Sequence, residues 1–154
     1  MKQRDRVAMT AEEVAAFLAA SRKVHLATIG GDGSPHLVTM YYVLVDGQIT
    51  FWTYRSSQKA FNLAADPRIT CLVEDGAEYF DLRGVQVQGV VRLIDDPAAV
   101  REIGRRVAGL LAGMNDEALD EYVEHAARKR VGYAVEARRI ISWDHSKLVL
   151  PASE

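Results

Sequence analysis

The sequence is short of the features that mark most specialised protein classes. Cys71 is the only cysteine among 154 residues, so no internal disulfide framework can form, and a reducing cytoplasm is the expected setting. No apolar run approaches the roughly 20 residues that cross a bilayer as a helix, and the polar start Met1-Lys2-Gln3-Arg4-Asp5-Arg6 leads into no apolar stretch of the signal-peptide kind. Neither a membrane partner nor secretion is expected. The 19 Lys and Arg against 21 Asp and Glu leave a formal net charge of -2, which gives no general attraction for nucleic acid. His25, His36 and His125 lack the close paired spacing of zinc ligands and no cysteine pair is available, so no metal is expected. There is no G-x-S-x-G elbow and no nucleophile beside a base, so no catalytic side chain is assigned. What remains is an ordinary globular composition, 49% hydrophobic and 26% charged, at a length that fits one domain over residues 1–154.

The patterning predicts a strand-rich chain. Thr10-Ala11-Glu12-Glu13 has the capping-box spacing of a helix start, with Met9 and Val14 placed as a hydrophobic staple and Val14, Phe17 and Leu18 as an apolar stripe. Residues 23–29 alternate and are β-branched, then Gly30-Gly31-Asp32-Gly33-Ser34-Pro35 turns the chain into a second strand over 36–45. Asp46-Gly47 is a type I′ signal leading to a third strand over 48–54. Ser56 or Ser57 opens a short helix over 57–65, stopped by Asp66-Pro67. Residues 68–74 read as a strand and 79–94 as one long strand in which Gly84 and Gly89 mark bulges or bends. Asp95-Asp96-Pro97 starts a helix over 98–111 ended by Gly113, Asn115-Asp116-Glu117 caps another to about Arg128, and 131–143 is the last strand. The expected fold is mainly β with peripheral helices: a six-stranded antiparallel split barrel, since closure removes exposed sheet edges.

The segment over 51–63 is the most informative for function. A strand runs directly into a helix N-terminus carrying Ser56, Ser57 and Lys59, so free amides, two hydroxyls and a cation are placed to converge on one phosphate. Serine also caps many helices that bind nothing. Lys59 is less easily explained that way, because a cation in the first turn opposes the helix dipole at a cost of some tenths of a kcal/mol unless an anion sits there. Elsewhere, Trp143-Asp144-His145 is either a pocket lining or rim packing, and Arg101, Arg105 and Arg106 read most simply as a solvated helix face.

Taken in order, Ala27-Thr28, the Gly-Asp-Gly-Ser-Pro turn, an aromatic strand ending in Trp52-Thr53, then Ser57-Gln58-Lys59-Ala60, Asn62-Leu63 and Asp66-Pro67-Arg68 resemble the pyridoxamine 5′-phosphate oxidase-like split-barrel superfamily. The resemblance covers residues 10–94 and, more loosely, the last strand. The Gln58-Lys59 variant is similar to the actinobacterial branch that uses the deazaflavin coenzyme F420. The resemblance implies a cofactor lying along Leu37, Val38, Thr39 and Met40, with Trp52, Thr53 and Tyr54 near its ribityl chain and Ser56, Ser57, Gln58 and Lys59 about its phosphate; Arg55 is a candidate cation for the acidic tail of the deazaflavin. It implies a homodimer with the site at the interface and a small organic molecule as substrate. Two departures separate the chain from true pyridoxamine phosphate oxidases: Gln58 stands where they carry arginine, and the end Leu148-Val149-Leu150-Pro151-Ala152-Ser153-Glu154 lacks their substrate-gripping arginine. Three readings stay open: an oxidoreductase passing a hydride between coenzyme F420 and an organic substrate, an FMN-dependent oxidoreductase of the same fold, and a non-enzymatic flavin or deazaflavin binder.

Overall fold

A computed structural model describes residues 2–111 and 113–148; the carboxyl-terminal end discussed above lies, from residue 149 on, outside the described residues. The polar start, for which no element was expected, forms a short helix, α1 (Gln3–Val7), whose buried residue is Val7. Both halves of the capping box at Thr10 form, Glu13 N donating to Thr10 Oγ1 at 3.1 Å and Thr10 N to Glu13 Oε2 at 2.7 Å. They open α2 (Ala11–Ala20), which buries Phe17 and Leu18.

Strands β1 (Lys23–Ile29), β2 (Pro35–Tyr41), β3 (Val43–Val45) and β4 (Gln48–Tyr54) follow. After them come α3 (Gln58–Ala65), β5 (Arg68–Asp75), a 3₁₀ turn (Tyr79–Asp81) and β6 (Arg83–Ile94). The chain ends in α4 (Pro97–Ala108), α5 (Asp116–Ala127), β7 (Arg130–Asp144) and a second 3₁₀ turn (His145–Leu148). One seven-stranded sheet has the order β2-β1-β5-β6-β7-β4-β3, and every neighbouring pair is antiparallel. Its two ends, β2 and β3, are consecutive in the chain, so the sheet curls back on itself as a split barrel.

The count of seven rather than six comes from Tyr42. The predicted strand over 36–45 pairs first with β1 and then with β4, and it must turn a corner between them. At that corner Tyr42 N donates to Arg22 O at 2.9 Å, and its side chain is buried with the hydroxyl on Leu18 O. Burial pushes that phenol up to about 12. The Asp46-Gly47 turn takes positive φ at both residues, 51° and 74°, as a type I′ hairpin requires. The predicted strand over 79–94 begins only at Arg83. Its earlier residues form the 3₁₀ turn, and the guanidinium of Arg83 closes the β5–β6 loop on Asp75. Gly89 sits at the register shift of β6 against β7, where a Cβ would meet Glu136 O at 2.1 Å; Gly84 lies opposite Trp143 with no shift.

The main core fills the barrel with Leu26, Phe51, Ile69, Val73, Val85 and Tyr133 among others. Cys71 belongs to it, and burial raises its thiol to about 12. A second cluster gathers Val100, Ile103, Val107 and Ala126 of α4 and α5 around Trp52 at the end of β4. That cluster places the helical pair over the strand end that carries the candidate site.

Candidate functional site

The site is built where β4 becomes α3. Ser57 N donates to Tyr54 O at 3.1 Å, reversing the chain, and Ser57 Oγ accepts from Ala60 N at 3.3 Å. Ser57 is therefore the N-cap, while Ser56 is an exposed residue of the turn. Thr53, 5% exposed, donates its hydroxyl to Ser57 Oγ at 3.3 Å and receives Lys59 Nζ at 3.0 Å. The ammonium is thus folded back over the strand end and held beside the amides that open α3, which have no carbonyl one turn earlier. Partial burial lowers the Lys59 pKa below the usual lysine value.

Gln58 turns the other way. Its Nε2 donates to Asn62 Oδ1 at 2.8 Å, and the buried Asn62 passes Nδ2 to Thr28 Oγ1 at 3.1 Å. The glutamine is committed along its own helix.

Thr39, Met40 and Tyr41 of β2 meet Trp52, Thr53, Tyr54 and Lys59 around one cleft of about 370 Å³, closed on its far side by Val107, Leu111, Tyr122 and Arg130. The structure therefore brings together Thr39, Met40, Trp52, Thr53, Tyr54 and Lys59 from the expected set. Leu37 and Val38 lie farther along β2 and do not line the cleft; Leu37 is 69% exposed. Arg55 turns away, donating Nη1 to Arg128 O at 2.9 Å.

Arg130 is the side chain that sequence reasoning missed. Its guanidinium lies 4.8 Å from the Trp52 ring and 4.0 Å from that of Tyr54, and Nη1 is tied to Ala126 O at 2.9 Å. Nothing local marks it, because the contact depends on β4 and β7 pairing Tyr54 with Arg130. Arg130 also lines a second pocket of about 260 Å³ with Arg55, Arg101, Arg128, Asp95 and Glu124. Four guanidiniums against two carboxylates leave that pocket positive.

The other candidates stand apart. Arg101, Arg105 and Arg106 pair with Glu124, Asp120 and Glu102 on the exposed helix faces. His145 Nδ1 meets Tyr79 O at 2.8 Å and its ring packs on Tyr79, away from the Lys59 cleft. Among the described residues no group of three His, Cys, Asp or Glu side chains is placed to hold a metal ion, and no helix is long and apolar enough to cross a membrane. A larger, open hollow of about 660 Å³ lies along β1, β5, β6 and β7, lined by Ala27, Ile29, Arg68, Gln88 and Arg139 among others; it shares no residue with the cleft.

A family model described as pyridoxamine 5′-phosphate oxidase matches residues 10–144. No curated protein sequence matches the chain. Among solved structures, a conserved hypothetical protein from Mycobacterium tuberculosis is 43% identical, with a TM-score of 0.89 over 100% of this chain and 96% of that one. An F420 reductase is 23% identical, with a TM-score of 0.60 over 81% of this chain and 93% of that one. HutZ, a heme storage protein from Vibrio cholerae, is 12% identical, with a TM-score of 0.65 over 86% and 94%. At such identities the last two share the fold, which does not by itself fix the ligand.

Proposed function

Because the chain belongs to the pyridoxamine 5′-phosphate oxidase family, we propose that it is an oxidoreductase that holds coenzyme F420 in the Lys59 cleft and passes a hydride between that cofactor and a small organic substrate. The observation that carries this reading is the Lys59 ammonium, held on Thr53 Oγ1 beside the opening turn of α3, at one end of a cleft whose other walls include Met40, Trp52, Tyr54, Val107 and Leu111. This donor set fits a phosphate joined to a flat ring. When bound, the deazaflavin supplies or receives the hydride. The chain's own residues then have simpler tasks. Lys59 and the α3 amides hold the phosphate, while Thr39 and Met40 of β2 and Trp52, Thr53 and Tyr54 of β4 orient the ring and its chain. Val107 and Leu111 keep water from one side of the cleft.

Two features favour the deazaflavin over FMN. Gln58 adds no cation at the phosphate and is engaged with Asn62, which suits a singly charged phosphodiester. The positive pocket adjoining the cleft through Arg130 suits the acidic tail that FMN lacks. FMN remains a second reading on one specific observation: Arg130 lines the same cleft as Lys59 and offers a second cation for a phosphate monoester. Titration of the cofactor-free protein with each compound, followed by absorption, decides between them. Binding of neither leaves the cleft without the proposed role, and binding without turnover of any acceptor favours a carrier.

The reading includes a homodimer in a reducing cytoplasm, where Cys71 stays free. A cleft of about 370 Å³ is small for a tricyclic cofactor with a tail, and a second copy set against the sheet would complete it. The open hollow and the exposed Leu37 and Ile140 support such a surface. Sedimentation at micromolar protein should give a dimer; a monomer that still binds cofactor would count against it.

A further inference from the structure

One side-chain chain runs across the outer face of the sheet into the cleft. The register sets His25 opposite Thr39 on β2 and opposite Leu72 on β5, so Glu74, two residues on, shares the face of His25. His25 Nδ1 lies 2.9 Å from Thr39 Oγ1 and Nε2 lies 3.4 Å from Glu74 Oε1. A carboxylate only accepts, so the hydrogen of the neutral imidazole belongs on Nε2, facing Glu74. Nδ1 must then accept, and Thr39 must donate to it. The hydroxyl hydrogen is committed to His25, and Thr39 presents oxygen lone pairs to the cleft it lines together with Lys59.

Protonation reverses this. An imidazolium donates from both nitrogens, so Nδ1–H points at Thr39 Oγ1 and the hydroxyl hydrogen is released toward the cleft. The His25 and Glu74 side chains are 37% and 45% exposed, so protons exchange freely with water. The other titratable groups at adjoining positions on this face are Lys23 of β1 and its cross-strand partner Tyr41 of β2; β5 contributes Glu74.

We propose that Glu74, His25 and Thr39 form a polarity switch that sets which hydrogen-bonding edge of a ligand the cleft accepts. With His25 neutral, Thr39 is an acceptor and selects an N–H or O–H edge. With His25 protonated, Thr39 is a donor and that edge is rejected. Thr39 touches the ligand, whereas His25 and Glu74 are positioning residues. This rests on the reading of the cleft as a cofactor site and adds how that site discriminates.

The test titrates coenzyme F420 into the wild type and the variants H25A, T39S and T39V from about pH 5 to 8, the range over which histidine titrates. Imidazole nitrogen NMR on the cofactor-free wild type reports the His25 tautomer. The expected tautomer is Nε2–H. T39V should bind about three- to tenfold more weakly than wild type at neutral pH, the scale of one hydrogen bond, and the ratio should shrink as His25 protonates. Taking the ratio cancels titration of the ligand itself. T39S should restore the wild-type profile, and H25A should flatten it. An Nδ1–H tautomer, or T39V and H25A profiles that superimpose on wild type, overturns the switch while leaving the cofactor reading intact. A wild type that binds no F420 overturns both.

Discussion

Lys59 Nζ donates to Thr53 Oγ1 at 3.0 Å across the β4–α3 junction, so the ammonium is held in place before any anion arrives. A preorganised cation loses little freedom on binding, and its hydrogen bond to a charged group is worth about 1.5–3 kcal/mol. Lys59→Ala should therefore weaken F420 binding by about 10- to 150-fold. Thermal stability should change little, because a half-buried surface cation leaves no large cavity. Unchanged affinity in a folded variant would remove Lys59 from the site.

The lowered pKa of Lys59 gives that affinity a pH dependence. Its cause is desolvation, with no anionic partner in the cofactor-free protein. An anion bound at the ammonium raises the value again, so binding takes up a proton between the lowered pKa and 10.5, the ordinary lysine value. Affinity should be flat near neutral pH and fall with rising pH, starting below 10.5. Stability of the cofactor-free protein should move oppositely over the same window. The unfolded chain holds the Lys59 proton more tightly there, so this contribution grows as pH rises. Calorimetric titration at alkaline pH in two buffers of different ionisation enthalpy measures the uptake, and no difference between buffers would refute it.

Gly104 controls the roof of the cleft. A Cβ there would sit 2.4 Å from the Trp52 ring, and Trp52 is both a cleft wall and the centre of the α4–α5 cluster. Gly104→Ala should destabilise the fold by about 1–3 kcal/mol, the range for overpacking, despite the higher helix propensity of alanine. It should also weaken cofactor binding by displacing the indole. A variant as stable as wild type would mean that Trp52 has room to move.

The local grammar of the chain was readable because each signal has a cause within a few residues. The capping box at Thr10, the Asp46-Gly47 hairpin, Asp96 as N-cap before Pro97 and Asn115 as N-cap of α5 all formed. Ser57 rather than Ser56 proved to be the α3 cap, a choice that depends on the turn back to Tyr54 O. What failed was non-local. The corner at Tyr42 exists because one strand serves two sheet edges, and α1 forms where Val7 packs and the terminal 3₁₀ turn closes over it through Lys147 on Ala8 O. Arg130 reaches the cleft only through the pairing of β4 with β7. The family resemblance placed Lys59 and Trp52 together, yet the stacking of Arg130 between Trp52 and Tyr54 had no sequence signal.

Cofactor choice is the sharpest test of the site, because the two candidates differ in where their charge lies. FMN ends in a phosphate monoester carrying close to two negative charges at neutral pH, and a site that prefers it should concentrate cations at the α3 N-terminus. Here Lys59 stands there, Gln58 is turned onto Asn62, and Arg130 is held by Ala126 O and two aromatic rings. The remaining guanidiniums of Arg55, Arg101 and Arg128 line the adjoining pocket instead, where they would meet carboxylates on an extended tail. Such exposed contacts are screened by salt, with a Debye length of about 10 Å at 0.1 M and about 3 Å at 1 M, while the partly buried Lys59 contact is screened less. F420 should bind more tightly than FMN at low salt, and the gap should narrow at high salt. The double variant R55A/R128A should lower F420 affinity at low salt by a few-fold, as for pairs worth up to about 1 kcal/mol, and leave FMN affinity unchanged. Equal losses for both cofactors would place those arginines outside any tail contact, and tighter FMN binding at both salt concentrations would move the protein to the flavin branch of its family.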